Sequence, residues 1–343
     1  MQEDHGRVRH TSRRKVNRMN PKNTLLLVCA GCCFGAIAAT VSAQSYPTKP
    51  LRVVVPYQPG GATDVTARTI GPKMSDTFKQ NIVVDNRPGA GGAIGADIVA
   101  KAAPDGYTVL LASPAEIAVL PHLQKLPYNP QKDLAPVSLA SMTPLILVVH
   151  PSLPVNAVKE LIAFIKARPG QLTYASAGTG GVQHLAAELL KITYKLDMVH
   201  VPYKGAGSVL PDLIGGQVQM FFSGVPPAMP HVRAGKLRAL AVTATNRSAA
   251  APDVPTMAEA GVPNFVFTNW FAYFVPAGTP AEVIAKLNGE INRALKLEDV
   301  KAKLAAMGLE TVGTTPEELS KFVREESEKF ANLIKLSGAK GTD

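Results

Sequence analysis

Beyond residue 33 the 343-residue chain has no cysteine; the three it contains are Cys29, Cys32 and Cys33. Disulfides, thiolate metal sites and cysteine nucleophiles are therefore excluded from the remaining 310 residues. Aromatic residues reach only 6% and charged residues 18%, against 46% hydrophobic. A low charged fraction with that much apolar material argues against disorder, and the length allows roughly two domains with a full core. No apolar run is long enough for a polytopic membrane protein: the best, residues 25–39, is broken by Gly31 and Gly35 and falls short of the about 20 residues a span requires.

The formal charge of +10 would suit a nucleic-acid partner if it were clustered on a folded domain. Instead, residues 1–43 hold seven cations (Arg7, Arg9, Arg13, Arg14, Lys15, Arg18, Lys22) against Glu3 and Asp4, so +5 of the +10 lies there. The rest is mildly basic without a basic tract, and no nucleic-acid partner is expected. The basic stretch runs into the apolar segment and then Val41-Ser42-Ala43 before Gln44, which is the order of a cleavable export signal. Residues 1–43 are thus expected to be a signal peptide and the mature chain to be periplasmic. Met19 would also serve as a start. Ser12-Arg13-Arg14 lacks the apolar pair a twin-arginine signal needs, and Cys29-Ala30-Gly31-Cys32 resembles a lipoprotein box with the wrong first residue, so a lipid anchor is the lesser alternative.

The mature sequence alternates short apolar runs with amphipathic helical segments, the pattern of an α/β protein with buried parallel strands. Strands are predicted at 51–55, 82–84, 107–111, 145–149, 172–175, 198–201, 218–222, 237–242 and 271–275. Val158, Leu161, Ile162 and Ile165 form one helical stripe, Val182, Leu185, Ala186, Leu189 and Leu190 a second, and Val283, Ile284, Leu287 and Ile291 a third. Pro72 predicts a kink or break in the helix after Asp64. The helices after Pro280 are expected to pack back on the first half.

Each half opens with a strand, a Gly-rich turn and a helix. In the first, Val55 leads through Pro56, Tyr57, Gly60, Gly61, Ala62 and Thr63 to Asp64; in the second, Ala175 leads through Ser176, Ala177, Gly178, Thr179 and Gly180 to Gly181. Such turns offer unpaired N–H groups at a positive helix end, suited to carboxylate or phosphate. A tight-turn requirement alone explains either turn; the matched pair points to a ligand acidic at both ends and held between two lobes, in the crevice at the strand C-termini. Micromolar affinity needs about 8 kcal/mol. A helix terminus contributes only about 0.3 to 2 kcal/mol, whereas four charge-assisted hydrogen bonds at about 1.5 to 3 kcal/mol each reach the range.

Asp64 reads as a helix N-cap, or as a group ordering a water or meeting a ligand amine. Glu116, after Ser113, reads as a solvated loop charge or a selectivity residue. His184 and His200 read as structural, the latter in a buried strand. No H-E-x-x-H, G-x-S-x-G or carboxylate metal set occurs, so neither metal, cofactor nor catalytic residue is expected. Gly89-Ala90-Gly91-Gly92-Ala93-Ile94-Gly95 spaces its last glycine one residue too far for a dinucleotide fingerprint. A nucleotide-dependent oxidoreductase is the rival of another class, and fluorescence of a nicotinamide would discriminate it.

These residues resemble the solute-binding proteins of tripartite tricarboxylate transporters, the Bug (Bordetella uptake gene) family. The likeness runs from Tyr46-Pro47 to the last helix. It includes Pro56-Tyr57 with Gly60-Gly61 and Asp64, Asp85-Asn86-Arg87-Pro88-Gly89, Ala175 to Gly180 with His184-Leu185, Val201-Pro202-Tyr203-Lys204-Gly205, and Asp253-Val254-Pro255-Thr256. The resemblance implies a type II-like, Venus-flytrap binding protein, not an enzyme. It also implies that the turns Tyr57 to Asp64 and Ser176 to Gly180 grip a carboxylate, with Ser113, Tyr203 and Ser223 at the far end. Ser223 stands where relatives carry Asp, and Glu116 departs from the pattern, which leaves amino-acid ligands in doubt. Lobe 1 would be 44–145 plus 268–343 and lobe 2 146–267. The expected protein is a monomer that passes a di- or tricarboxylate or related acid to a large and a small integral membrane subunit; presenting it to a signalling system is the alternative.

Overall fold

The computed structural model describes residues 46–203 and 208–338, so the expected signal peptide and the Lys204-Gly205 part of the sequence motif lie outside the described residues. Among these residues no helix is long and apolar enough to cross a membrane.

Among the described residues ten strands form one sheet system: β1 Leu51–Val55, β2 Ile82–Asn86, β3 Thr108–Ala112, β4 Leu134–Val149, β5 Thr173–Ser176, β6 Val199–Pro202, β7 Met220–Gly224, β8 Arg238–Val242, β9 Thr268–Pro276 and β10 Glu310–Thr311. Their order is β2-β1-β3-β9-β4-β7-β5-β6, with β8 and β10 also paired to β4. The flanks are parallel, β1 with β2 and β3, and β5 with β6 and β7, as the buried apolar runs predict. The centre is antiparallel. β4 pairs with β9 from Leu134 to Pro144 and with β7 from Leu145 to Val149, so one 16-residue strand belongs to both halves.

Helices are α1 Ala62–Phe78, α2 Ala93–Ala100, α3 Val158–Lys166, α4 Val182–Tyr194, α5 Val209–Ile214, α6 Val225–Arg233, α7 Ala281–Leu295, α8 Glu298–Ala306 and α9 Pro316–Ser337. A π-helical turn, Ala115–Val119, follows β3. α1 runs through Pro72 as one element rather than breaking there. Its buried Ile70 and Met74 join Val53, Val55, Val109 and Leu111 with Leu287 and Ile291 of α7 in one core cluster. A second cluster takes the other face, from Val54 and Leu110 through Leu147 and Tyr174 to Leu161, Ile165, Leu185 and Leu190. A third gathers Phe221, Val209, Leu213 and Val225.

The C-terminal helices part company. α7 and α8 pack on α1, as expected of a return to the first half, but α9 also packs on α4 and on the π-helical turn. α9 starts with a capping box, in which the Thr315 hydroxyl accepts from Glu318 N–H and the Glu318 carboxylate accepts from Thr315 N–H. Its inner face carries Phe322, edge-on to Trp270 at 5.7 Å, Glu326, which accepts from Trp270 Nε1 at 3.2 Å, and Phe330, edge-on to Phe267 at 5.7 Å. The helix therefore packs on the start of β9, where it pairs with β4.

Candidate functional site

The first turn lies between β1 and α1. Gly61, with φ −75°, is the N-cap residue, so Asp64 is not the cap; it is the third helical residue. Buried, Asp64 folds back to accept from Gly60 N–H at 2.9 Å, and also from Arg68 Nε at 3.0 Å and Asn86 Nδ2 at 3.0 Å. Burial pushes its pKa up, but those three donors outweigh it and hold the carboxyl below the usual aspartate range. One of the turn's donors, the Gly60 N–H, is thus occupied from within. The first-turn N–H groups of Ala62 and Thr63 have no intrahelical acceptor.

The second turn lies between β5 and α4 and has the same plan, with Gly61's counterpart, Gly181, as N-cap at φ −69°. Here Gly178 N–H donates to Ser176 Oγ at 3.2 Å and Gly180 N–H to His184 Nδ1 at 3.1 Å. A Cβ at Gly180 would stand 2.4 Å from Leu123 Cδ1, so the turn nestles against the segment that follows the π-helical turn. The Tyr203 backbone N–H donates to the Ser176 carbonyl at 3.0 Å, while its hydroxyl donates to Asp212 at 2.7 Å; burial and then Asp212 push that phenol up to about 12. Tyr203 is therefore brought to the turn by its main chain, and its hydroxyl is engaged elsewhere.

Histidines support this turn from beneath. His200 Nε2 lies 2.7 Å from Ser176 Oγ, the His184 and His200 rings stack at 4.1 Å, and Tyr174 stacks on His200 at 5.0 Å while donating from its hydroxyl to Glu188. His200 is half-buried rather than fully enclosed as its strand position suggested. Because His184 Nδ1 accepts a hydrogen bond from Gly180 N–H, the ring is neutral with its own proton on Nε2. Burial and then the neighbouring His200 lower its pKa to about 4 from 6.5.

The unfolded chain therefore binds this proton before the folded one does, and the stability contributed by neutral His184 is complete above about pH 6.5 and lost as pH falls towards about 4. Glu116, raised to about 7, acts in the opposite direction between about pH 4.5 and about 7. The His184→Gln variant is expected to lose less stability than wild type over the lower interval, read by urea denaturation at several pH values. Equal pH slopes would show that His184 titrates normally.

Glu116 is not a solvated loop charge. It is fully buried in the π-helical turn, where Oε1 accepts from Ser113 N–H at 2.7 Å and Oε2 from Ser113 Oγ at 2.9 Å and Tyr57 Oη at 2.6 Å. A carboxylate with three neutral donors and, among the described residues, no cation paired to it is costly to ionise, and burial raises its pKa to about 7 against the lowering effect of Tyr57 and Ser113. Tyr57 and Ser113 are brought together, 2.7 Å apart, at the C-terminal ends of neighbouring parallel strands. Ser223, at the end of β7 opposite Ile146, is buried, and its hydroxyl has no hydrogen-bond partner among the described residues. A hydroxyl in that state suits a ligand group.

Two cavities lie away from the turns. One of about 340 Å³ sits beside Arg52, Asp85 and Arg87, whose charges pair with one another at 2.6 and 3.0 Å. The other, of about 270 Å³, adjoins His122 and Tyr128. Neither is lined by residues of the two turns.

Sequence reasoning missed Arg68, Asn86, Tyr174 and Glu188 as supports of the turns. The spacing of Asp64 with Arg68 and of His184 with Glu188, four residues on a helix, was the available signal.

Two parallel α/β flanks joined by shared antiparallel strands, with matching turns at strand C-termini, define a periplasmic-binding-protein fold. Residues 66–339 match the tripartite tricarboxylate transporter family receptor, TctC, and the chain belongs to that family. It is a solute-binding protein rather than an enzyme. It is 41% identical to Protein BugT of Bordetella pertussis over 324 residues, covering 94% of this chain and 99% of BugT. It is similar to the structure of R. palustris Rpa4515 with adipate, at TM-score 0.78 and 35% identity over 86% of this chain and 99% of that one. The Rhodopseudomonas palustris MatC structure with bound malate gives 0.75 and 35%, over 84% and 100%.

Proposed function

We propose that this protein captures a small di- or tricarboxylate, or a related organic acid, between the turns at Tyr57 to Asp64 and Ser176 to Gly180. The observation that carries this reading is the repetition of strand, Gly-rich turn and helix in both halves, each leaving first-turn N–H groups without intrahelical acceptors. Ser113, Tyr203 and Ser223 would border the far end, and the similarity to adipate- and malate-bound relatives supports a dicarboxylate. The lobes would be 44–145 plus 268–343 and 146–267, hinged where β4 passes from one to the other and where the chain returns into the start of β9. Closure would exclude water and strengthen each hydrogen bond. After export through residues 1–43, the monomer would carry its solute in the periplasm to a large and a small membrane subunit of a tripartite transporter, without a cofactor.

The test is a melting-temperature screen of mature protein, first unfolded and refolded to remove co-purified ligand, against dicarboxylates, tricarboxylates, aromatic acids and acidic amino acids. At 100 times its dissociation constant a true ligand adds about 2.7 kcal/mol, so at least one acid is expected to raise the transition clearly. A flat panel would contradict the reading.

A further inference from the structure

We propose that the acid is taken up together with one proton, that Glu116 holds this proton, and that its arrival turns the Tyr57–Ser113 hydroxyl pair from acceptor to donor. The inference rests on the carboxylate reading above and adds a coupling to it.

The geometry leaves little alternative for the hydroxyl protons while Glu116 is charged. Oε1 accepts from Ser113 N–H at 2.7 Å, and Oε2 lies 2.6 Å from Tyr57 Oη and 2.9 Å from Ser113 Oγ. Both hydroxyl protons are then held inside the cluster, on Oε2 or between the two hydroxyls 2.7 Å apart, and each oxygen shows only lone pairs outward. That face repels an anion twice, through the lone pairs and through the buried charge behind them. With a proton on Oε2 the chain reverses: Glu116 donates to Ser113 Oγ, Ser113 donates to Tyr57 Oη across 2.7 Å, and the Tyr57 proton is released towards the ligand carboxylate. One proton enters from solvent, Glu116 becomes neutral, and no covalent bond other than O–H forms or breaks.

Around Glu116 the described residues offer hydrogen-bond donors but no charge of opposite sign. The titratable groups nearest its carboxylate are the phenols of Tyr57 and Tyr128, both pushed upward by burial and so neutral; Tyr128 donates to the Glu116 main-chain carbonyl at 2.8 Å and has Asp97 of α2 beyond it. From the other elements around the π-helical turn, His122 is bonded to Ser327, Asp133 accepts from Asn129 N–H, and Glu326 of α9 is held by Trp270 and Lys329. Among the described residues no Lys, Arg or His pairs with the Glu116 carboxylate. Gly92 closes one further side: at φ +99°, a Cβ there would stand 2.8 Å from Glu116 Oε2 and 3.0 Å from Tyr57 Oη. The Glu116 carboxylate is buried and only the half-buried Tyr57 reaches outward from it, which is where a proton rather than a counter-ion settles the charge.

The experiment is calorimetric titration of malate and adipate into refolded mature protein, in two buffers of different ionisation enthalpy, from about pH 6 to about pH 9. Wild type is expected to take up close to one proton per acid at the upper end, with affinity falling about tenfold per pH unit above about 7. Glu116→Gln, neutral at every pH, is expected to bind without uptake and with a flat profile. Glutamate side-chain carbons followed by NMR in wild type, with and without acid, assign the proton even if that variant does not fold. Binding with a flat wild-type profile, or uptake that persists in Glu116→Gln, overturns the coupling alone; failure of every carboxylate to bind at any pH overturns the site reading and the coupling with it.

Discussion

Replacing Gly178 with valine is expected to weaken carboxylate binding at least about a hundredfold, or about 2.7 kcal/mol, as measured by calorimetry. Gly178 sits at φ +148°, which a β-branched residue rarely adopts, yet a Cβ there meets nothing closer than the Tyr203 carbonyl at 3.7 Å. The fold therefore has room for the side chain but not for the backbone that carries it. Relaxing the strain, about 1–3 kcal/mol, would pull Gly178 N–H from Ser176 Oγ and the Gly178 carbonyl from Gly181 N–H, moving every donor of the second turn. Gly61 separates conformation from access. Its φ of −75° is ordinary and its nearest neighbour would be Gln58 O at 3.8 Å, so Gly61→Leu should keep the fold, losing no more than about 1 kcal/mol for the poorer N-cap, and still weaken binding. Wild-type affinity in both variants would remove the two turns from the site.

Trp270→Ala should cost about 3–5 kcal/mol of folding free energy, read by urea denaturation with far-ultraviolet circular dichroism, since the substitution removes the chain's one Trp. The indole is fully buried in β9, opposite Met142 of β4, and carries α9 on its other side through Phe322 and Glu326. Deleting it opens a cavity between α9 and the β4–β9 ladder. Glu326 keeps Lys329 at 3.0 Å, so the loss is mainly packing rather than an orphaned charge. A change below about 1 kcal/mol, the range of surface substitutions, would show that α9 is not anchored there.

The strand predictions fall on observed strands because each is a short apolar run; most are buried on both faces, while the edge strands β2 and β6 are half-buried or exposed, with Val83 and Val199 open to solvent. β4 was only a third legible. Its first part carries Pro136, Ser138, Ser141, Thr143 and Pro144, which interrupt the apolar pattern, and register shifts at Pro136/Ser138 and Leu139/Ser141 absorb the irregularity. A strand shared by two halves is recognisable only once both partners are in place. The turns were legible from their glycines, but the fate of individual N–H groups was not. Asp64 and His184 reach back to claim Gly60 and Gly180, and nothing in the spacing says which donors remain for a ligand. Glu116 misled most: Ser113-Pro114-Ala115-Glu116 reads as a polar loop, while a π-helical turn carries the carboxylate inward under Tyr57.

The central claim is that main-chain amides of two separate turns hold one anion. Amide NMR of refolded mature protein, titrated with malate or adipate, tests it directly. The account predicts large, saturable shifts at Ala62 and Thr63 and at Val182 and Gln183, all reporting the same dissociation constant. Saturable binding that leaves either turn unshifted would contradict it.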